Sequence, residues 1–458
     1  MAERGGILDK NGELTASPER RRLAAAWLLL GILALALAGI FAILLVTARV
    51  PGTEALFPTQ DFFRVALVVH VDQSVLIWFL AFAGMLWSLG GRDNRLVSWT
   101  AFAVATTGCL LTAAAAFLGA NEPLLNNYVP VLDHGLFLGA LAVFALGALL
   151  QILGFLSRAH AGLTLQDPIA IGILTAALAA LLAAVSLVWT RAGMSSAWTG
   201  KAFYEYLFWG PGHVLQFAYT QIMLVAWIWL ARSAGRPIRL SDRGLSALLI
   251  LGVLPLLSVP VIHALYAPDS AESRIAFTRL MQYGNALAAV PLGLMLALSL
   301  VRGGETISDE RLPAYRALVA SLLLFVAGGA IGTAITGVNT IIPAHYHGSI
   351  VGVTLALMGL TYQLLPELGF GPAEGRMARW QANLYASGQL LHIAGLAASG
   401  AMGIQRKTAG AAQELDGITK AFMGIMGLGG LLATIGGFLF VLVVLRAVLK
   451  RRSSPLAG

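Results

Sequence analysis

Four histidines in three apolar motifs carry the chemistry of this sequence: His70 in HVDQSVLIWFLAF, His213 in WGPGHVLQF, and His345 with His347 in PAHYHGSIVG. A fifth, His263, stands in VIHALYAPD. Imidazole is the commonest side-chain metal ligand. Ligand-type side chains within long apolar segments are costly in lipid. They face a bundle interior, where they bind a cofactor or line a path. One such histidine can be accidental, but several on different segments point to a buried metal or haem centre. His345 and His347 lie two residues apart, so on a helix their side chains diverge by roughly 200°. That geometry suits two different groups on opposite faces better than one shared ion.

The elements that must position these groups are membrane spans. The 458 residues are 58% hydrophobic and only 11% charged, which excludes a soluble enzyme and predicts an all-α, polytopic membrane protein. Runs of about 20 apolar residues predict about twelve spans. They lie near 23–47, 61–90, 96–120, 129–157, 168–190, 203–231, 244–267, 275–301, 315–338, 345–366, 378–403 and 420–449. The connections are too short for a soluble domain. The chain divides into a cytoplasmic N-terminal segment (1–22), one membrane bundle (23–449) and a basic tail (450–458).

The net charge of +8 does not mark a nucleic-acid binder, because it is distributed by topology. Basic residues crowd the N-terminus (Arg20, Arg21, Arg22), the 6–7 loop (Arg232, Arg236, Arg239, Arg243), the 8–9 loop (Arg302, Arg311, Arg316) and the tail (Arg446, Lys450, Arg451, Arg452). The 3–4 and 9–10 loops carry no Lys or Arg. By the positive-inside rule both termini are cytoplasmic, in the inner (plasma) membrane of a bacterium. An even number of spans agrees, since it puts both termini on the same side. The first apolar run is too long for a signal-peptide core and reads as a retained span. The single Cys109 excludes an intrachain disulfide, and no Cys-x-x-Cys-His motif offers covalent haem attachment.

With that topology, His70 and His213 lie roughly eight to ten residues in from the outer ends of spans 2 and 6, at about 1.5 Å per residue. His263 is near the outer end of span 7, and His345 and His347 open span 10. All five therefore share the outer half of the bilayer. The remaining polar residues are less specific. His134 and His392 read as hydrogen-bonded core groups, while Glu205, Thr333, Thr336, Asn339 and Tyr362 suit either water paths or interhelical hydrogen bonds.

On these motifs the chain resembles the catalytic subunit of the haem–copper oxidase superfamily, which includes cytochrome c oxidase subunit I and nitric oxide reductase. The resemblance covers nearly the whole chain and includes the run GVTLALMGLTYQLLPEL on span 10. It implies two haems: a low-spin haem held by His70 and His347, and a high-spin haem, where gas is reduced, held by His345. It also implies a non-haem copper or iron opposite that haem, on His213 and His263. Arg406 and Lys407 match the family's basic pair that binds haem propionates. A partner is implied too: an accessory membrane or cytochrome c-type subunit that donates electrons.

The sequence departs from the family in two places. Span 7 offers His263 alone where the family has adjacent histidines, with Ile262 and Ala264 on either side. A third donor would have to come from Gln216, a carboxylate or water. Four residues after His213, where many oxygen reductases carry a tyrosine, stands Phe217. The C-type oxidases carry theirs on span 7, and Tyr266, followed by Pro268-Asp269, matches that position. Gln216, three residues after His213, shares its helix face and can donate to a bound gas but cannot supply a tyrosine's electron. Three functions follow as expectations: reduction of nitric oxide to nitrous oxide, favoured by the missing tyrosine; reduction of dioxygen to water with Tyr266; and haem electron transfer without the second metal.

Overall fold

A computed structural model describes residues 7–8, 13–47, 56–57, 61–90, 95–157, 164–303, 306–406 and 417–450. The expected all-α fold is what forms. Its long segments are α1 (Pro18–Thr47), α2 (Phe62–Gly90), α3 (Arg95–Ala115), α4 (Gly135–Leu156), α5 (Pro168–Gly193), α6 (Gly200–Ser233), α7 (Asp242–Leu265), α8 (Ala271–Arg302), α9 (Leu312–Gly332), α10 (Ile341–Glu367), α11 (Gly375–Ala401) and α12 (Gly417–Leu449). Among the described residues eleven of these, all but α11, are long and apolar enough to cross a membrane. The twelfth expected span does form a helix, α11, of 27 residues. Arg376, Arg379, Gln381, Asn383, Gln389 and His392 dilute its apolar character. A short antiparallel pair, β1 (Pro123–Leu124) with β2 (Val131–Leu132), closes the α3–α4 loop.

Three of the segments are interrupted. In α2 a π-helical stretch, Asp72–Ile77, begins two residues after His70, a deformation found mostly where a helix serves a function. In α7 the run Leu254–Ser258, which contains Pro255, tightens to a 3₁₀ turn. Proline lacks the amide an α-helix would use there, so His263 rides on a short final helix, Val259–Leu265. Asn285 separates the two helical parts of α8.

The chain forms two compact units. The first comprises Met1–Val225 and Arg239–Leu294, the second Ala226–Ile238 and Met295–Gly458. Within each, small residues let backbones meet, as expected where lipid offers no hydrophobic drive between helices. In the first unit, a Cβ on Gly108 of α3 would fall 2.3 Å from the Phe144 amide of α4. A Cβ on Gly147 of α4 would fall 2.4 Å from Ala105 of α3. In the second unit Gly328 of α9 and Gly348 of α10 face each other as closely, and Gly388 of α11 meets Ala433 of α12. Polar side chains add interhelical bonds, as where Tyr362 of α10 donates to Gln381 of α11 over 3.0 Å.

Candidate functional site

Ligation of haem iron by histidine requires an imidazole whose Nδ1–H is held while the Nε2 lone pair faces the metal. Two of the expected ligands have that preparation. His70 donates from Nδ1 to the Ala38 carbonyl of α1 over 2.8 Å. His345, on the first turns of α10, donates from Nδ1 to the Gly328 carbonyl of α9 over 2.8 Å. Because a carbonyl can only accept, Nδ1 carries the proton in both rings and Nε2 keeps its lone pair. Gly332 is shaped around the second ring, since a Cβ there would lie 2.6 Å from His345 Nδ1.

His347 lies on the same helix with its ring 5.1 Å from Tyr346 and 4.9 Å from His392 of α11, nearly perpendicular to the latter at 73°. His392 donates from Nδ1 to the Met426 carbonyl over 2.9 Å, so it is the hydrogen-bonded group the sequence suggests. Its contact with His347 is not legible from sequence. His134 is likewise structural, capping α4 with Nδ1 accepting from the Leu136 amide. Arg406 lies within electrostatic reach of Tyr346, beside the histidine pair. Lys407 is outside the described residues.

In the first unit the two other histidines are committed to separate partners. His213, only 1% exposed, donates from Nδ1 to the Trp209 carbonyl over 2.6 Å. Its Nε2 therefore accepts, and what it accepts is the Tyr128 hydroxyl over 2.7 Å. Tyr128 comes from the α3–α4 loop with a left-handed backbone (φ 68°), rare for a tyrosine. Asn127 anchors that loop by giving its amide and its side chain to Glu205 of α6, at 2.9 and 2.5 Å. Burial, reinforced by the Glu205 carboxylate, pushes the Tyr128 phenol well above its ordinary range, so it stays a donor. Gly212 is what allows the approach, because a Cβ there would sit 2.3 Å from the tyrosine ring.

His263 turns elsewhere. Its Nε2 is 2.8 Å from the Ser186 hydroxyl of α5, its ring stacks on Trp189 at 5.0 Å, and its buried Nδ1 has no hydrogen-bond partner. Phe277 of α8 also contacts the imidazole, with ring centroids 5.2 Å apart. The same phenyl meets α6 at Gly210, where a Cβ would touch it at 2.8 Å. One apolar ring thus touches both His263 and the helix that carries His213. Gln216 has a buried, unpartnered Oε1. Tyr266 ends α7 with 37% of its surface exposed. Asp269 accepts from the Trp198 indole over 2.8 Å.

These placements divide the expected cofactors. The donors at His70 and His345 fit haem. Of the two histidines expected to share a non-haem metal, His213 has both nitrogens taken, Nε2 by a phenol, while His263 is packed toward α5 through Nε2 and keeps only a buried Nδ1, so the pair as arranged does not fit that metal. Among the described residues no cluster of three or more His, Cys, Asp or Glu side chains could hold a metal ion. The Tyr128 contact joins residues 85 positions apart in the chain. Its one sequence signal is the glycine immediately before His213, a residue type that marks close approach.

Comparison with known proteins bears on the whole chain. The family model described as cytochrome c and quinol oxidase polypeptide I matches residues 22–444. An uncharacterized protein of Rickettsia prowazekii is 29% identical over 94% of this chain and 96% of its own length. A second uncharacterized protein, from Aquifex aeolicus, is 29% identical over 77% of this chain and 87% of its own. Among solved structures, a heme-copper terminal oxidase dimer aligns with a TM-score of 0.71 at 16% identity, covering 96% of this chain and 86% of that one. That likeness speaks for the fold.

Proposed function

The chain belongs to the family of cytochrome c and quinol oxidase polypeptide I, and from that premise we propose that it is a haem-carrying electron-transfer subunit of a respiratory membrane complex that works without the family's non-haem metal. The observation that carries this reading is the contrast between its imidazoles. His70 and His345 are each oriented by a backbone carbonyl, whereas His213 Nε2 is taken by Tyr128.

By the family resemblance His70 and His347 would hold the low-spin haem, His345 would hold the second, and Arg406 with Lys407 would meet the propionates. Bound there, the haems supply one-electron redox chemistry and an iron able to bind a gas. The carbonyls of Ala38 and Gly328 fix the ligand tautomers and raise their basicity. We assign electron donation to an accessory membrane or cytochrome c-type subunit, because the loops of this chain are too short to fold a redox domain. The inner-membrane placement with cytoplasmic termini rests on the distribution of Lys and Arg.

The deciding measurement is iron and copper content per purified chain, alongside the haem count. Two haems and no further metal are expected. Two haems with one copper, or with one additional iron, would overturn the reading and restore a second-metal centre.

A second reading is nitric oxide reduction at the haem on His345, in which two NO, two electrons and two protons give nitrous oxide and water. Phe217 favours it over dioxygen reduction: the side chain is buried, apolar and incapable of the redox step that oxygen–oxygen cleavage draws from a tyrosine. Gas consumption by the reduced protein decides it. Turnover of nitric oxide but not dioxygen supports this reading, and turnover of dioxygen returns Tyr266 to consideration as the redox phenol.

A further inference from the structure

One arginine is buried with part of its guanidinium edge unpartnered. Arg236 follows α6 in the second unit and is only 7% exposed. Its Nε and Nη1 are buried and have no hydrogen-bond partner. The guanidinium lies over the ring of Tyr315, 5.4 Å from the centroid, which satisfies its face but not its edge. An arginine cannot shed its charge to relieve burial, and an unpaired buried ion is among the costlier arrangements a protein can hold. Such an edge calls for an anion.

The surroundings point the same way. Tyr315 sits in the first turn of α9, a 21-residue helix with no side-chain cap and no acidic residue in that turn. That turn thus brings no carboxylate of its own to the positive end of the helix, although its Leu312 amide is bonded to the Ser308 carbonyl and Pro313 has no amide hydrogen. Arg311 stands at the cap position. Its Nη1 comes within 3.9 Å of where a Cβ on Gly235 would be, at the turn just before Arg236. The other charges nearby are spent. Arg316 donates to the Arg379 carbonyl over 2.6 Å and covers Trp380, and Asp309 pairs with Arg379 at 2.5 Å. Glu310 is exposed.

We propose that Arg236, Arg311 and the N-terminus of α9 form a binding site for a phosphate group, supplied by the headgroup of an anionic membrane lipid. The guanidinium fork matches phosphate oxygens bidentately. The site lies where α6 ends and α9 begins, at the Arg-rich end of these spans, which is where lipid phosphates lie and where basic pockets between helices recruit acidic lipids. It is independent of the haem ligands.

The test uses the full chain, purified and delipidated in detergent, with melting temperature read as phosphatidylglycerol, phosphatidylcholine or inorganic phosphate is titrated in. Phosphatidylglycerol is expected to raise the melting temperature by several degrees, as ligand linkage requires, while the other two leave it unchanged. Arg236→Gln should weaken the half-saturating lipid concentration by about tenfold or more. Because Arg236 is buried, Arg311→Gln at an exposed position provides a second variant that should show a smaller loss in the same direction. Haem content should not change in either. An equal rise with inorganic phosphate keeps the anion site and overturns the lipid source. No rise in the wild-type chain, or the same rise in both variants, overturns the site itself.

Discussion

The Tyr128 hydroxyl donates to His213 Nε2 over 2.7 Å, and that bond occupies the nitrogen which a metal at His213 would need, Nδ1 being spent on the Trp209 carbonyl. The pair links a loop between two spans to the middle of a third, and everything around it supports the contact. Glu205 anchors Asn127, Gly212 leaves room for the ring, and Trp209 meets Tyr128 edge-on at 5.9 Å while Arg274 covers the indole at 4.4 Å.

Tyr128→Phe removes the donor and leaves a buried imidazole nitrogen unpaired. The expected cost is about 1–3 kcal/mol, read as a lower melting temperature with the haem spectrum intact. A variant as stable as the parent would mean the bond contributes nothing.

Gly212→Ala places a methyl group where the tyrosine ring now lies. Overpacking of this kind costs about 1–3 kcal/mol. Since both changes act on one contact, the double variant with Tyr128→Phe should lose less than the sum of the two. Strict additivity in a double-mutant cycle would separate the glycine from the tyrosine.

His213→Ala should leave haem content and total iron and copper per chain as they are in the parent, because the imidazole serves a hydrogen bond. Loss of a stoichiometric copper or iron on this substitution would make His213 a metal ligand after all.

His70→Ala should remove the low-spin haem spectrum while the second haem remains. An unchanged spectrum would falsify the assignment of His70 as an axial ligand.

Gly332→Ala should act on the other haem alone. The added methyl would stand 2.6 Å from His345 Nδ1 and disturb its bond to the Gly328 carbonyl. The high-spin component of the spectrum should shift or be lost while the low-spin component is retained. Identical spectra would show that the ring tolerates displacement.

Much of this molecule is legible from its residues in order. Backbone crossing lipid must satisfy its own hydrogen bonds, and continuous apolar runs of about 20 residues do so as helices, so those runs indicate where each span lies. The family motifs on α2 and α10 are local in sequence and can be read there as motifs, because their residue types and spacing lie within single apolar runs. At α11 the expected helix forms although its polar residues dilute the apolar signal.

What the tertiary structure alone decided is which nitrogen each histidine has left to offer. His70 and His345 owe their free Nε2 to carbonyls on other helices, at Ala38 and Gly328, and no spacing rule reaches that far. His213 and His263 share an apolar setting with them in the sequence. Yet one meets a tyrosine 85 positions upstream and the other a serine 77 positions upstream. Residue type and helical phase are local properties, carried in the chain. Hydrogen-bond partnership across a bundle depends on which helices pack together, and it is that packing which sorts the histidines fit for haem from those that are not.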